Sequence, residues 1–377
     1  MPGRSASERE ALANQNAAIM AVFERAGFSQ IAPDIIQPAD IFLERSGEDI
    51  RARTFVFNDP DSNELCLRPD LTVPACRFHL SHAPASEARY CYLGTVFRYP
   101  DEALSPQEFN QAGIEWFGGN DPIIEEARIL KLAISALDAA GLTGLKVTIG
   151  DLGLFNGLIE DMPMPERWKR RLRHQFWRPE AFRKLLQDFS SPVNGMRSSI
   201  SPVIDVMGKR NAVTVAQETL AAGGYPLVTE RTVEDIASRL AEKHADRSEK
   251  PLSAIAVAAI ENYLAIEGPA TDVVTSLSNI GRSPEYDSAI ERYVKRIAGL
   301  ENQGLSAQRF HFDANFGREL EYYTGFVFQI EANAGNHPVV VAGGGRYDDL
   351  LKDLGARARI PAVGCAIHTE RVKAVLG

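Results

Sequence analysis

Residues 317–333, GRELEYYTGFVFQIEAN, hold two kinds of chemistry in one stretch. From Phe326 onward aromatic and β-branched residues dominate, the composition of a strand. Ahead of them stand Arg318, Glu319, Glu321 and the pair Tyr322 and Tyr323, with Gly325 interrupting the run. A strand entered through so many charged and hydroxyl-bearing side chains asks for a reason beyond packing. Its neighbours extend the pattern. RFHFDANF (309–316) and HPVVVAGGG (337–345) read as strands, the second joined to the opening stretch through the turn-forming NAGN. Far upstream, RYCYLGTVFRY (89–99) and QEFNQAGIEWFG (107–118) form another antiparallel pair across the loop PDEALSP. RTFVFNDPDSNELCLR (53–68) reads as a hairpin turned at Asp-Pro-Asp-Ser-Asn. Helical spacing predicts helices over 5–26, ended by Gly27, over LTVPACRFHLSHA (71–83) and over PIIEEARILKLAISALDAAG (122–141).

From about 155 to 305 the chain turns helical and charge-rich: PERWKRRLRHQFW, AVTVAQETLAAGG (212–224), TVEDIASRLAEKHAD (232–246) and SAIERYVKRIAGLENQG. Strands on both sides of a helical middle predict an α+β fold, with one antiparallel sheet assembled from sequence-distant halves and flanked by helices. The expected core domain is discontinuous, residues 1–154 and 306–377, and residues 155–305 form an inserted helical region. RYDDLLKDLG and HTERVKAVLG close the chain as helices.

Composition bounds the function. The 377 residues are 45% hydrophobic and 24% charged, enough for a sizeable core without staples. A formal charge of −9 gives no global attraction to nucleic acid or an anionic membrane. The four cysteines, Cys66, Cys76, Cys91 and Cys365, form no C-x-x-C pair and have no histidine at zinc-finger spacing, so a reducing compartment fits best. The N-terminus lacks the apolar segment of a signal peptide and no window approaches a membrane span, so the expected location is the cytoplasm. No Ser/His/Asp or Cys/His nucleophile arrangement is legible, and neither a metal nor a cofactor is called for.

Alternation along 109–117 puts Phe109, Gln111, Gly113, Glu115 and Phe117 on one face, with hydrogen-bonding groups either side of a glycine. Tyr90, Tyr92, Gly94, Val96 and Arg98 share a face of the neighbouring strand. Either a ligand approaches over the glycines or this is the wet side of an antiparallel sheet. Asp70 and Thr72 in LRPDLTVP suit the cap of the following helix. AGGGRYDDL matches no phosphate-binding pattern, and a tight strand-to-helix turn accounts for its glycines as well as an anion would. The run RWKRRLRHQFWR (167–178) is either a grip for an anionic partner or a solvated helix face.

Together these stretches resemble the class II histidyl-tRNA synthetases. LCLRPDLTVPACR is similar to their L-R-P-E-x-T segment, and YLGTVFRYP with EFNQAGIEWFG to class II motif 2, its arginine at Arg98. RELEYYTGFVF is similar to the histidine-binding signature R-G-L-D-Y-Y-T-G-x-V-F. AGGGRYDDLL with PAVGCAIHTERV resembles the second histidine signature and motif 3, its arginine at Arg371. The resemblance covers residues 10–120 and 310–377, about half the chain. It implies that Asp70, Thr72 and Gln111 receive the α-ammonium of histidine. It implies further that Glu115 with Tyr322 and Tyr323 recognises the imidazole, and that Arg318, with Arg98 as a second cation, meets the carboxylate. The charges are complementary in each role.

The departures narrow the expectation. Pro100 stands where the synthetases carry a glutamate, and the loop supplies Asp101, Glu102 and Glu108 with no Lys or Arg. Phosphoryl chemistry needs cationic stabilisation of a triphosphate, so this site is expected to bind histidine without activating it. Glu319 and Glu321 replace Gly and Asp of the signature, and with the sequence ending six residues after Arg371 no anticodon-binding domain is expected. A core of this kind resembles the regulatory subunits of ATP phosphoribosyltransferase. That resemblance implies a non-catalytic chain in the first step of histidine biosynthesis, a hetero-octamer with a short catalytic subunit, self-association as a synthetase-like dimer, and histidine as ligand. tRNA is not an expected partner. The competing expectation is a short synthetase-like enzyme that still forms histidyl-adenylate.

Overall fold

The computed structural model describes residues 3–43, 50, 52–84, 86–99, 106–191, 242, 245–246, 249–317, 322–335 and 337–377. The segments 212–224 and most of 232–246, expected as helices, the loop 100–105 and the signature residues 318–321 lie outside them. The chain divides into two compact units, Met1–Asp161 with Asn262–Gly377, and Met162–Glu261.

In the first unit α1 (Ala6–Arg25) starts at a reciprocal cap, where Ser5 Oγ accepts from Glu8 N and Glu8 Oε2 accepts from Ser5 N at 2.7 Å. Gly27 ends it at φ +87°, a conformation that excludes most side chains. β1 (Ser29–Gln30), β2 (Ile36–Pro38), α2 (Asp40–Leu43), β3 (Val56–Asn58) and β4 (Glu64–Leu67) follow. β3 and β4 form the expected hairpin, with Asp59 Oδ1 accepting from Asp61 N and Asn63 N in the turn. Then come α3 (Thr72–His82), β5 (Ala88–Phe97), β6 (Glu108–Phe117), α4 (Pro122–Ala139), β7 (Lys146–Asp151) and α5 (Leu152–Glu160). Asp121 caps α4 and Pro122 occupies its first turn, where a missing N–H does no harm.

After the second unit the chain adds β8 (Glu267–Pro269), α9 (Val273–Ser278), α10 (Pro284–Asn302), β9 (His311–Asp313), β10 (Phe326–Ala334), β11 (His337–Arg346), α11 (Leu350–Asp353), β12 (Ala362–His368) and α12 (Thr369–Leu376). The main sheet runs β1-β5-β6-β12-β11-β10-β7-β9-β8. Its middle, from β5 to β7, is antiparallel throughout, while β1 with β5 and β7 with β9 pair parallel. The fold is therefore α+β, with one mainly antiparallel sheet assembled from sequence-distant halves, as expected. The two halves of the sequence meet where β6 pairs with β12, and fully buried Phe117, Ile114, Val363 and Ile367 close that seam. Each such side chain contributes roughly 1.5–3 kcal/mol.

Three details depart from expectation. Residues 155–161 and 262–305, expected in the helical insertion, belong to the first unit, because α10 buries Tyr286, Ala289 and Tyr293 and packs closely on α5 at Gly157. The glycines of AGGGRYDDL lie inside β11, not at a strand-to-helix turn. A Cβ on Gly344 would sit 2.7 Å from Cys365 Cβ, so close strand packing requires their absence. β7, KVTIGD, has no counterpart among the expected strands.

The second unit contains α6 (Glu166–Gln175), α7 (Pro179–Ser190) and most of α8 (Ala254–Leu264). Trp168 stacks on Phe189 at 4.3 Å between centroids. The basic run is largely consumed internally. Arg167 Nε and Trp168 Nε1 donate to Asp246 Oδ1 at 2.8 and 2.6 Å, Arg171 reaches Asp246 and Glu242, and Arg173 pairs with Glu166. These arginines staple the unit together rather than form a grip for an anionic partner.

Candidate amino-acid site

β6 presents Gln111, Gly113 and Glu115 on one face, as alternation requires, and the register brings their partners over them. Gly113 faces Tyr92 and Cys365 from either side, and a Cβ there would sit 2.5 Å from Tyr92 Oη. The glycine thus makes room for a tyrosine, not for a ligand directly. Gly94, opposite Gln111, is covered by the Arg68 guanidinium, whose Nη2 would clash with a Cβ there and whose Cζ would lie 3.3 Å from it.

Tyr92 uses that room to donate its hydroxyl to Glu115 Oε1 at 2.8 Å. Tyr347, just beyond β11, donates to Glu115 Oε2. Glu115 has no exposed surface, and Gly364 across the seam leaves space for its carboxyl; a Cβ there would approach Glu115 Cδ to 2.6 Å. Burial pushes Glu115 up to about 7, against the opposing pull of hydrogen bonds from Tyr347, Tyr92 and Thr72. Burial also raises both tyrosines well above their ordinary range, so they remain donors.

The second carboxyl is Asp70. Its Oδ1 accepts from Val73 N at 3.1 Å at the start of α3, which is the expected capping contact. Its Oδ2 is buried with no hydrogen-bond partner among the described residues. Burial raises Asp70, while the nearby Arg98 and the Val73 and Thr72 amides pull it down. A buried carboxylate oxygen left without a donor is a site for a cationic or N–H-bearing ligand group. Gln111 Oε1 accepts from Leu71 N at 3.2 Å and so fixes the turn that carries Asp70.

Tyr322 and Tyr323 precede β10 rather than lying in it. Tyr322 packs 4.9 Å from Tyr323 and 5.6 Å from Tyr347, and its hydroxyl belongs to the same buried group as Thr72, Asp70 and Glu115. The structure thus brings Asp70, Thr72, Gln111, Glu115, Tyr322 and Tyr323 together. Arg318 lies outside the described residues. Arg98 Nε donates to Pro69 O at 2.7 Å, next to Asp70, and its guanidinium lies 5.6 Å from the Phe109 ring. Arg371 donates to Val340 O at 3.1 Å.

Sequence reasoning missed Tyr92 and Tyr347 as partners of Glu115. It also missed His368, which stacks on Phe109 at 4.1 Å and accepts from Arg371 N. Burial, with Arg371 and Arg98 close by, holds His368 down to about 3.

A histidyl-tRNA synthetase family profile matches residues 4–247 and 212–372. The ATP phosphoribosyltransferase regulatory subunit of Sinorhizobium fredii is 36% identical over 363 residues, covering 94% of each chain. That of Mesorhizobium japonicum is 38% identical over 347 residues, 90% of this chain and 91% of the relative. The chain belongs to the ATP phosphoribosyltransferase regulatory subunit family. Solved structures agree on the fold. An ATP phosphoribosyltransferase regulatory subunit/histidyl-tRNA synthetase from Bacillus halodurans superposes with TM-score 0.71 at 22% identity, covering 100% of this chain and 82% of that one. A histidyl-tRNA synthetase from Nostoc gives 0.64 at 16% identity, covering 100% and 73%. In this member of the regulatory subunit family, Glu115 stands on the main sheet and Asp70 in the turn that leads into α3. Among the described residues no helix is long and apolar enough to cross a membrane.

Proposed function

We propose that this chain binds free histidine at the Asp70–Glu115 site, is required by a short catalytic ATP phosphoribosyltransferase subunit, and transmits histidine occupancy to it as feedback control. The observation that carries the histidine assignment is the pair of buried carboxyls. Asp70 Oδ2 has no donor among the described residues, and Glu115, a four-lone-pair acceptor, keeps room beyond the hydrogen bonds from Tyr92, Tyr347 and Thr72. An α-ammonium answers the first and an imidazole N–H the second. Arg318 meets the carboxylate, as its place in the signature implies.

A regulatory rather than an adenylating role is supported by the stretch from Tyr99 to Asn110, which holds Asp101, Glu102 and Glu108 and no Lys or Arg. Such a loop opposes a triphosphate. The chain works in a hetero-octamer and self-associates as a synthetase-like dimer. A coupling of ~1–3 kcal/mol between histidine and the partner changes activity about 5–150-fold.

Co-purification with a short catalytic subunit, followed by assay of phosphoribosyl-ATP formation with and without histidine, tests the proposal. Activity that needs this chain and falls with histidine is expected. Activity of the catalytic chain that is indifferent to both would overturn it, and histidine-dependent ATP–pyrophosphate exchange by this chain alone would replace it with the adenylate-forming enzyme.

A further inference from the structure

Behind Tyr347 lies a buried ionic network with no role in the site as described. Arg346, Arg296, Glu125, Glu126 and Asp151 are each nine-tenths or more buried. Arg346 Nε donates to Glu126 Oε1, and its Nη2 donates to Glu125 Oε2 at 2.9 Å and to Pro122 O at 3.3 Å. Glu126 Oε2 accepts from Arg296 Nε on α10 at 2.6 Å. Arg296 Nη1 donates to Asp151, the residue that caps α5 through Gly153 N.

The same network grips the backbone on both sides of Tyr347. Arg346 O accepts from Thr324 N at 2.8 Å. Asp348 N donates to Thr324 Oγ1 at 3.2 Å, while Asp348 Oδ1 accepts from Arg346 Nη1 at 3.0 Å and from Ala362 N at 2.9 Å. Tyr347 N itself donates to Ala362 O at 2.8 Å. A tyrosine held at its own amide and at both neighbours has little freedom in where it delivers its hydroxyl.

Replacing such a network with apolar side chains is often neutral for stability, so stability alone does not account for its place here. From this geometry we infer that Arg346, anchored by Glu125 and Glu126, is a positioning residue that fixes Tyr347 against Glu115 and so sets how strongly the site holds an N–H-bearing ring. Through Glu126 and Arg296 the same contacts tie the site to α10 and α5. The ligand assignment rests on the histidine site proposed above; the delivery of the Tyr347 hydroxyl does not.

The groups facing Glu115 are Tyr92 from β5, Tyr347 after β11, Tyr322 before β10, and Asp70, Thr72 and Cys76 at and within α3. Loss of the Tyr347 donor leaves that carboxylate less stabilised, so its titration midpoint rises.

The test follows the Glu115 side-chain carboxyl by carbon NMR against pH in the ligand-free chain, in wild type, Tyr347→Phe, Arg346→Lys and the double variant. Each single variant is expected to move the Glu115 midpoint up by about one pH unit, and the double variant by no more than Tyr347→Phe alone. Histidine affinity should fall about tenfold in each, again without further loss in the double. If Arg346→Lys does not fold, Glu125→Gln, which keeps a hydrogen-bonding group, takes its place. A midpoint unmoved by the Arg346 or Glu125 change, or effects that add in the double variant, would overturn the positioning role. Because the titration uses no ligand, failure of histidine to bind wild type sinks the proposed function and leaves this result legible.

Discussion

Glu115→Gln isolates the electrostatic character of the site. In the native chain burial raises Glu115 from an ordinary 4.5 to about 7. Between those values the folded protein holds a proton that the unfolded chain has released, so stability falls as pH rises through that interval and levels off above it. At about 1.4 kcal/mol per pH unit, the loss is about 3 kcal/mol. His368 works in the opposite direction. Held down to about 3 against an ordinary 6.5, it resists protonation when folded, so it removes stability as pH falls from 6.5. Glutamine keeps the shape and an acceptor for the tyrosine hydroxyls but cannot titrate, and His368 is common to both proteins. Urea unfolding of wild type and variant at pH 5, 6, 7 and 8 therefore gives a difference that belongs to Glu115. Wild type should lose about 2.5 kcal/mol relative to the variant between pH 5 and 8, most of the full interval. A difference independent of pH would show that Glu115 is solvated and would refute the buried-carboxyl site.

Asp70→Asn gives the unpartnered Oδ2 position an N–H donor that faces a ligand ammonium, so histidine affinity measured by calorimetry should drop at least tenfold while thermal stability is kept or raised. Gly364→Ala drives a methyl group to 2.6 Å from Glu115 Cδ and from Ile114 O, and should cost about 1–3 kcal/mol in unfolding experiments and abolish histidine binding together. In the second unit, burial would raise Asp246, but hydrogen bonds from Arg167, Trp168 and Arg171 outweigh it and hold the group below the usual carboxylate range. Asp246→Ala strips those partners of their acceptor. It should destabilise that unit by about 1–3 kcal/mol by proteolysis or hydrogen exchange, and leave histidine affinity at the sheet unchanged.

Much of the sheet was legible because its strands carry their own signals. The hairpin at Asp59–Asn63, the pair β5 and β6, and the alternation that puts Gln111 and Glu115 on one face all follow from local composition and a two-residue period. β7 escaped because KVTIGD is only six residues long and ends in three consecutive buried residues, so it does not alternate cleanly. The site was half legible. Side-chain chemistry marked Asp70 and Glu115, but their partners depend on cross-strand register: Tyr92 meets Glu115 only because it stands opposite Gly113. Tyr347 meets it only because β11 and β12 bring a residue 232 positions away to the same point. The basic run at 167–178 stayed ambiguous for a related reason, since its acidic partners, Glu242 and Asp246, lie some 70 residues downstream.

The most direct test of the amino-acid site is calorimetric titration of the purified chain with histidine near neutral pH, with Glu115→Gln alongside. Saturable binding of one histidine per chain, weakened at least tenfold in the variant, is the expected result. No binding heat at millimolar histidine, or equal affinity in both proteins, would contradict the account.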